Sequence, residues 1–133
     1  MKGEEIAISS IVEEFDYTLL DLWASWCSPC IQNSKAMIPI YDYYKDKGFT
    51  IIGVAREYSD SKAMVNAINK YGFKWVNLLE LNDENNIWRR YKIPSGAGGT
   101  FLLNRNGEII SINPTAEEVR KILAEELDQL STE

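Results

Sequence analysis

Apolar residues in this chain fall into short blocks with two distinct periods, and the blocks are punctuated by Gly, Pro, Asn and Asp. Ile6-Ala7-Ile8 alternates weakly and reads as a short edge strand; Ser9 or Ser10 then caps a short helix running to Phe15, with Glu13 or Glu14 supporting its first turn. Residues 17–24 form a nearly continuous apolar run, the mark of a buried strand, interrupted by Asp21. Residues 28–47 read as a helix with Ile31, Met37, Ile38, Tyr41 and Tyr44 along one stripe, a kink at Pro39 and a stop at Gly48. Residues 49–55 are β-branched and apolar, a second buried strand. A helix opens at Ser59 or Asp60, turns Met64, Ala67, Ile68 and Tyr71 inward and closes at Gly72. Residues 75–81 read as a short strand or extended segment, and residues 83–92 as a short helix with Ile87, Trp88 and Tyr91 on one face. Residues 100–103 and 108–112 are strands joined by a turn at Asn106-Gly107, a strong hairpin signal. Thr115-Ala116-Glu117-Glu118 is a capping box, and the helix after it carries Val119, Ile122, Leu123, Leu127 and Leu130 on one face.

Strand–helix repeats followed by a hairpin and a helix predict an α/β fold: a central mixed sheet flanked by helices on both faces. With 133 residues and no repeat or linker, residues 1–133 read as one domain. The net charge of −6 and the lack of a basic cluster argue against nucleic acid or an anionic lipid surface as partner. No run of 18 apolar residues is present, so no membrane insertion is expected, and Met1-Lys2-Gly3-Glu4-Glu5 is followed by no apolar signal-peptide core.

The candidate chemistry lies in the only two cysteines, Cys27 and Cys30, placed between the strand at 17–24 and the helix at 28–47. A helix starting near Ser28 puts Cys27 at its N-terminus, where unpaired N–H groups and the positive end of the dipole favour a thiolate. Pro29 fits the first turn, where a missing N–H costs nothing, and Cys30 comes within disulfide reach one turn on. Rival readings are weaker. A zinc or c-type haem site needs ligands this chain lacks, since it has no histidine and no second cysteine pair. A purely structural disulfide across so short a loop constrains the unfolded chain little. Two unrelated buried cysteines fit poorly with the flanking strand, Trp26 and Pro29. No metal or other cofactor is expected.

Trp23-Ala24-Ser25-Trp26-Cys27-Ser28-Pro29-Cys30 resembles the Trp-Ala-x-Trp-Cys-x-Pro-Cys of the thioredoxin superfamily, most closely its TlpA/ResA-like branch of thiol–disulfide oxidoreductases. Ile51-Ile52-Gly53-Val54 is similar to the family's second core strand, and Thr100-Phe101-Leu102-Leu103-Asn104 with Gly107 to its hairpin. The resemblance implies a thioredoxin fold, a redox-active Cys27–Cys30 disulfide, Cys27 as nucleophile and Cys30 as resolving thiol. Asp21, six positions before Cys27, matches the family's buried acid and is the implied proton acceptor for Cys30; the rival reading is a solvent-facing Asp on an ordinary strand. Trp26, Pro29, Ala97 and Gly98 are the implied substrate-binding residues, with simple packing as the rival role for Trp26. Two departures stand out. Where the family has a cis-proline, three positions before Phe101, this chain has Gly98, which admits close backbone approach; aligning Pro94 there instead takes a costlier set of gaps. After Cys30, the branch's acid and proline are Asn33 and Lys35; Lys35 either favours the thiolate or is a solvated helix charge.

The leading expectation is a thiol–disulfide oxidoreductase that reduces protein disulfides, supplied by an upstream thiol reductant. By resemblance it works in a bacterial periplasm or cell envelope, with the cytoplasm as the alternative. The rival is a thioredoxin-fold module that binds an extended partner segment with weak or vestigial redox activity; only the enzyme needs Cys27 exposed with a lowered pKa. A peroxidase ranks lower, since its Pro-x-x-x-Thr-x-x-Cys pattern is missing. Arg56, Glu57 and Tyr58 carry no motif.

Overall fold

A computed structural model describes residues 2–84, 87 and 98–128, with side chains from residue 8 to residue 127 within those spans. The chain runs α1 (Lys2–Glu14), β1 (Tyr17–Trp23), α2 (Ser28–Tyr44), β2 (Phe49–Glu57), α3 (Lys62–Tyr71), β3 (Val76–Leu81), β4 (Gly99–Asn104), β5 (Ile109–Ile112) and α4 (Ala116–Leu123), the last continued by a π-helical turn (Ala124–Asp128). The strands form one five-stranded sheet in the order β3-β2-β1-β4-β5. β1, β2 and β3 are parallel; β4 runs antiparallel to β1, and β5 antiparallel to β4.

The crossovers β1-α2-β2 and β2-α3-β3 step across the sheet in the same direction. Right-handed connections therefore place α2 and α3 on one face. There, with α4, they cover Leu19, Trp23, Ile51 and Ala55 through Ile31, Met37, Ile40, Met64, Ala67, Val119 and Leu123. The opposite face, Leu20, Leu22, Ile52 and Val54 with Phe101 and Leu103, is covered by Val12, Ile8 and Ile11 of α1 and by Ile87. Every residue of β2 is buried, as expected of a strand walled on both faces.

Residues 6–8 correct the sequence reading. They belong to α1, which starts at Lys2 rather than at a Ser9 or Ser10 cap. Ile8, Ile11 and Val12 stand at i, i+3 and i+4, so one helical stripe meets the sheet, and three weakly alternating residues cannot compete with that burial. Elsewhere the shifts are small. α2 ends at Tyr44 and keeps Pro39 inside it; α3 follows Ser61, whose side chain makes no capping bond, while the Asp60 carboxylate accepts the Lys62 N–H, and it is closed by Gly72 in the left-handed region, φ +77°. The turn after β4 has Gly107 at φ +81°, with the Asn104 side-chain oxygen accepting from the backbone N–H groups of Asn106 and Glu108. The Thr115 capping box is complete. Of the helix expected over residues 83–92, only Ile87 is described as helical, and it is buried; Trp88 and Tyr91 lie outside the described residues, as does Leu130. Among the described residues no helix is long and apolar enough to cross a membrane.

Candidate active site

The carboxyl ends of the three parallel strands point the same way, so the loops leaving β1, β2 and β3 gather at one end of the sheet. The β1 loop carries the cysteines. Cys27 is the N-cap of α2, with extended dihedrals (φ −105°, ψ 98°), and its Sγ accepts the backbone N–H of Cys30 at 3.3 Å. Pro29 occupies the first turn without cost, as its missing donor would have had no intrahelical acceptor. Cys27 and Cys30 are joined in a disulfide with Cα atoms 5.3 Å apart. The placement puts Cys27 Sγ where a negative charge is favoured by the helix end and by a backbone donor.

Both cysteines are only 7% exposed, so Cys27 is less open than the enzyme reading led us to expect. They sit in a cleft of about 760 Å³ whose walls are Trp26, Ser28, Pro29 and Asn33 on one side and Gly98, Gly99, Thr100 and residues 113–115 on the other. Gly98 explains the recess. A Cβ on it would stand 2.4 Å from Cys30 Sγ and 2.5 Å from the Leu22 carbonyl oxygen. The close approach that glycine permits is thus taken up by the chain's own sulfur. Ala97 and Pro94 fall outside the described residues. Pro29 is exposed at the rim, and Trp26 is half-exposed there, at 47%.

Asp21 lines the same cleft from beneath. It is 2% exposed, which rules out the solvent-facing reading. On β1 it pairs with Gly53 of β2 and Thr100 of β4. The Ser34 hydroxyl of α2 donates to its Oδ2 at 2.5 Å. Burial pushes the carboxyl up to about 7, against the smaller opposite pull of the Ser34 bond.

The sequence offered no pattern for the residues that hold the loop, and all come from the end of β2. Glu57, 3% exposed, accepts the Ser25 backbone N–H at 2.7 Å and the Ser25 hydroxyl at 2.6 Å. The Trp26 indole N–H donates to the Arg56 carbonyl at 3.1 Å. The Arg56 guanidinium is forked onto Asp83, with Nε–Oδ1 at 2.7 Å and Nη2–Oδ2 at 3.0 Å; that ion pair holds the Asp83 carboxyl below its usual range. Their only signal in the sequence was polarity at the end of an apolar strand. Lys35 is exposed and lies over the Tyr71 ring, 5.3 Å from its centroid, so its ammonium engages α3. Among the described residues no group of three or more His, Cys, Asp or Glu is placed to hold a metal ion.

A buried acid behind a Cys-x-x-Cys disulfide, on a mixed sheet of this order, defines a thioredoxin-fold redox site. The chain belongs to the AhpC/TSA family, whose model matches residues 1–112. Its TlpA/ResA-like affinity shows in a curated relative, the thiol-disulfide oxidoreductase ResA of Bacillus thuringiensis (strain Al Hakam), 29% identical over 91 residues, 68% of this chain and 50% of the relative. The chain thus spans about half the length of the first curated relatives it matches. Among solved structures, the thioredoxin domain of a thiol-disulfide oxidoreductase from Bacteroides vulgatus superposes with a TM-score of 0.75 at 24% identity, covering 86% of this chain and 81% of that one. A thiol-disulfide oxidoreductase from Bacteroides fragilis does so with a TM-score of 0.72 at 26% identity, covering 82% and 80%.

Proposed function

We propose that this chain is a thiol–disulfide oxidoreductase that reduces protein disulfides in a bacterial cell envelope. The observation that carries the reading is Cys27 as the N-cap of α2, bonded to Cys30 and recessed in a cleft that reaches it. In the reduced protein the Cys27 thiolate attacks one sulfur of a substrate disulfide. That S–S bond breaks, the other substrate sulfur leaves as a thiolate, and a mixed disulfide forms on Cys27. Cys30 gives its proton to Asp21, whose carboxyl near 7 suits a base at neutral pH. The Cys30 thiolate then attacks Cys27 Sγ, the mixed disulfide breaks, and the second substrate sulfur departs. Two electrons have passed to the substrate, and an upstream dithiol restores the pair. Pro29 and Gly98 shape the cleft that the substrate cysteine enters. The envelope location rests on the TlpA/ResA-like likeness.

Insulin reduction with a dithiol donor tests the reading. Turnover by the wild type that is lost in Cys27→Ser supports it. No turnover, with partner binding intact in the Cys27→Ser/Cys30→Ser double variant, replaces it with the binding module.

A further inference from the structure

Beside the cleft stands an aromatic ledge that the chemistry above does not use. Trp26 and Tyr58 are 47% and 49% exposed, and their rings stack at 28° with centroids 6.3 Å apart. Both polar edges are already engaged inside the protein. The Trp26 indole N–H is given to the Arg56 carbonyl, and the Tyr58 hydroxyl donates to Asp83 Oδ2 at 3.0 Å. The Arg56 guanidinium lies 5.9 Å from the Tyr58 ring centroid and is tied to the same Asp83. What remains for a partner is apolar ring surface, held rigid before anything binds. Rigid aromatic surface gives contact area at small entropic cost, which is why such side chains dominate recognition surfaces.

We propose that the Trp26–Tyr58 ledge binds the polypeptide strand flanking the substrate's cysteine, and that Tyr58 sets a preference for apolar side chains there. The inference rests on the oxidoreductase reading. Continuity fixes the occupant, because Trp26 lines both the ledge and the cleft. The cysteine sulfurs are recessed, so a substrate cysteine must reach in while its chain passes over the rim. Spacing agrees. Side chains i and i+2 of an extended strand lie on one side, about 6.6–6.8 Å apart, close to the 6.3 Å between the two rings. One substrate side chain meets Trp26 and the next but one meets Tyr58.

The test uses two disulfide-linked peptides identical except for the flanking pair, Phe at both facing positions in one and Gly in the other. For the wild type, kcat/KM should favour the Phe peptide by about tenfold, through KM. In Tyr58→Ala that ratio should collapse toward one with kcat for the Phe peptide nearly kept, and Tyr58→Phe should restore it. A wild type without the preference, or a Tyr58→Ala that slows both peptides by the same factor, overturns the ledge and leaves the oxidoreductase reading standing. A wild type idle on both peptides overturns the two together. A Phe preference that survives in Tyr58→Ala, with a concentration-dependent dimer lost instead, makes the ledge a contact between copies of this chain and overturns the proposal.

Discussion

At the scale of single residues, Asp21 carries a cost that depends on pH. A carboxyl in the middle of the central strand is kept from water by β2, β4 and α2, and one hydroxyl bond does not replace its hydration. Its affinity for a proton is therefore higher folded than unfolded. Below pH about 4 it is protonated in both states and costs nothing. As pH rises toward 7 the unfolded chain releases the proton first, and stability falls; above about 7 the loss is complete, roughly 4 kcal/mol for a shift from 3.8 to about 7. Urea unfolding of the oxidised protein at pH 4, 6 and 8 should show that decline. Asp21→Asn should flatten it, so that the variant is less stable than wild type at pH 4 or equal to it, and more stable at pH 8.

At the scale of elements, the end of β2 is the support on which the cysteine loop rests. Glu57→Ala removes both acceptors of Ser25 and leaves a backbone N–H unpaired; the expected cost is about 2–3 kcal/mol in the unfolding free energy, with slower alkylation of reduced Cys27. Glu57→Gln keeps one acceptor for the Ser25 N–H and offers its amide to the hydroxyl, so it should recover most of both. These residues also mark where the sequence stopped being readable. The Cys-x-x-Cys, the strands at Leu19 and Ile51, the Asn106-Gly107 turn and the Thr115 cap were legible because each is a local pattern with a local physical cause. Asp21 stood out because it breaks an apolar run, and only the family resemblance gave it a role. Glu57 and Tyr58 were not, since their roles are set by Ser25, 32 residues away, and Asp83, 25 away. α1 was misread because its apolar stripe of Ile8, Ile11 and Val12 overlaps a shorter run that imitates alternation. The tight seat of Gly98 against Cys30 was invisible for the same reason as Glu57: it joins segments distant in the chain.

At the scale of the molecule, β1 is central. It pairs with β2 along seven residues and with β4 along six, while β5 pairs over three with a register shift between Leu102 and Leu103. Its side chains reach both cores, through Leu19 and Trp23 on one face and Leu20 and Leu22 on the other. Opening β1 means opening everything. In hydrogen exchange, the amides of Leu19, Leu20, Ile51 and Ile52 should therefore be protected to the full unfolding free energy, and those of β5 should exchange sooner through local opening. Equal, low protection in β1 would contradict this hierarchy.

Gly98 sets how much mutation the site tolerates. The wall facing Cys30 admits no side chain at all, because the nearest obstacles to a Cβ are a sulfur held in a ring and a backbone oxygen. Ser28, exposed between the cysteines, meets no such obstacle. In a library randomised at both positions and selected for reductase activity, variation would accumulate at position 28 and position 98 would return as glycine. Whatever adjusts the redox poise of this protein over generations has only one side of the disulfide to work on.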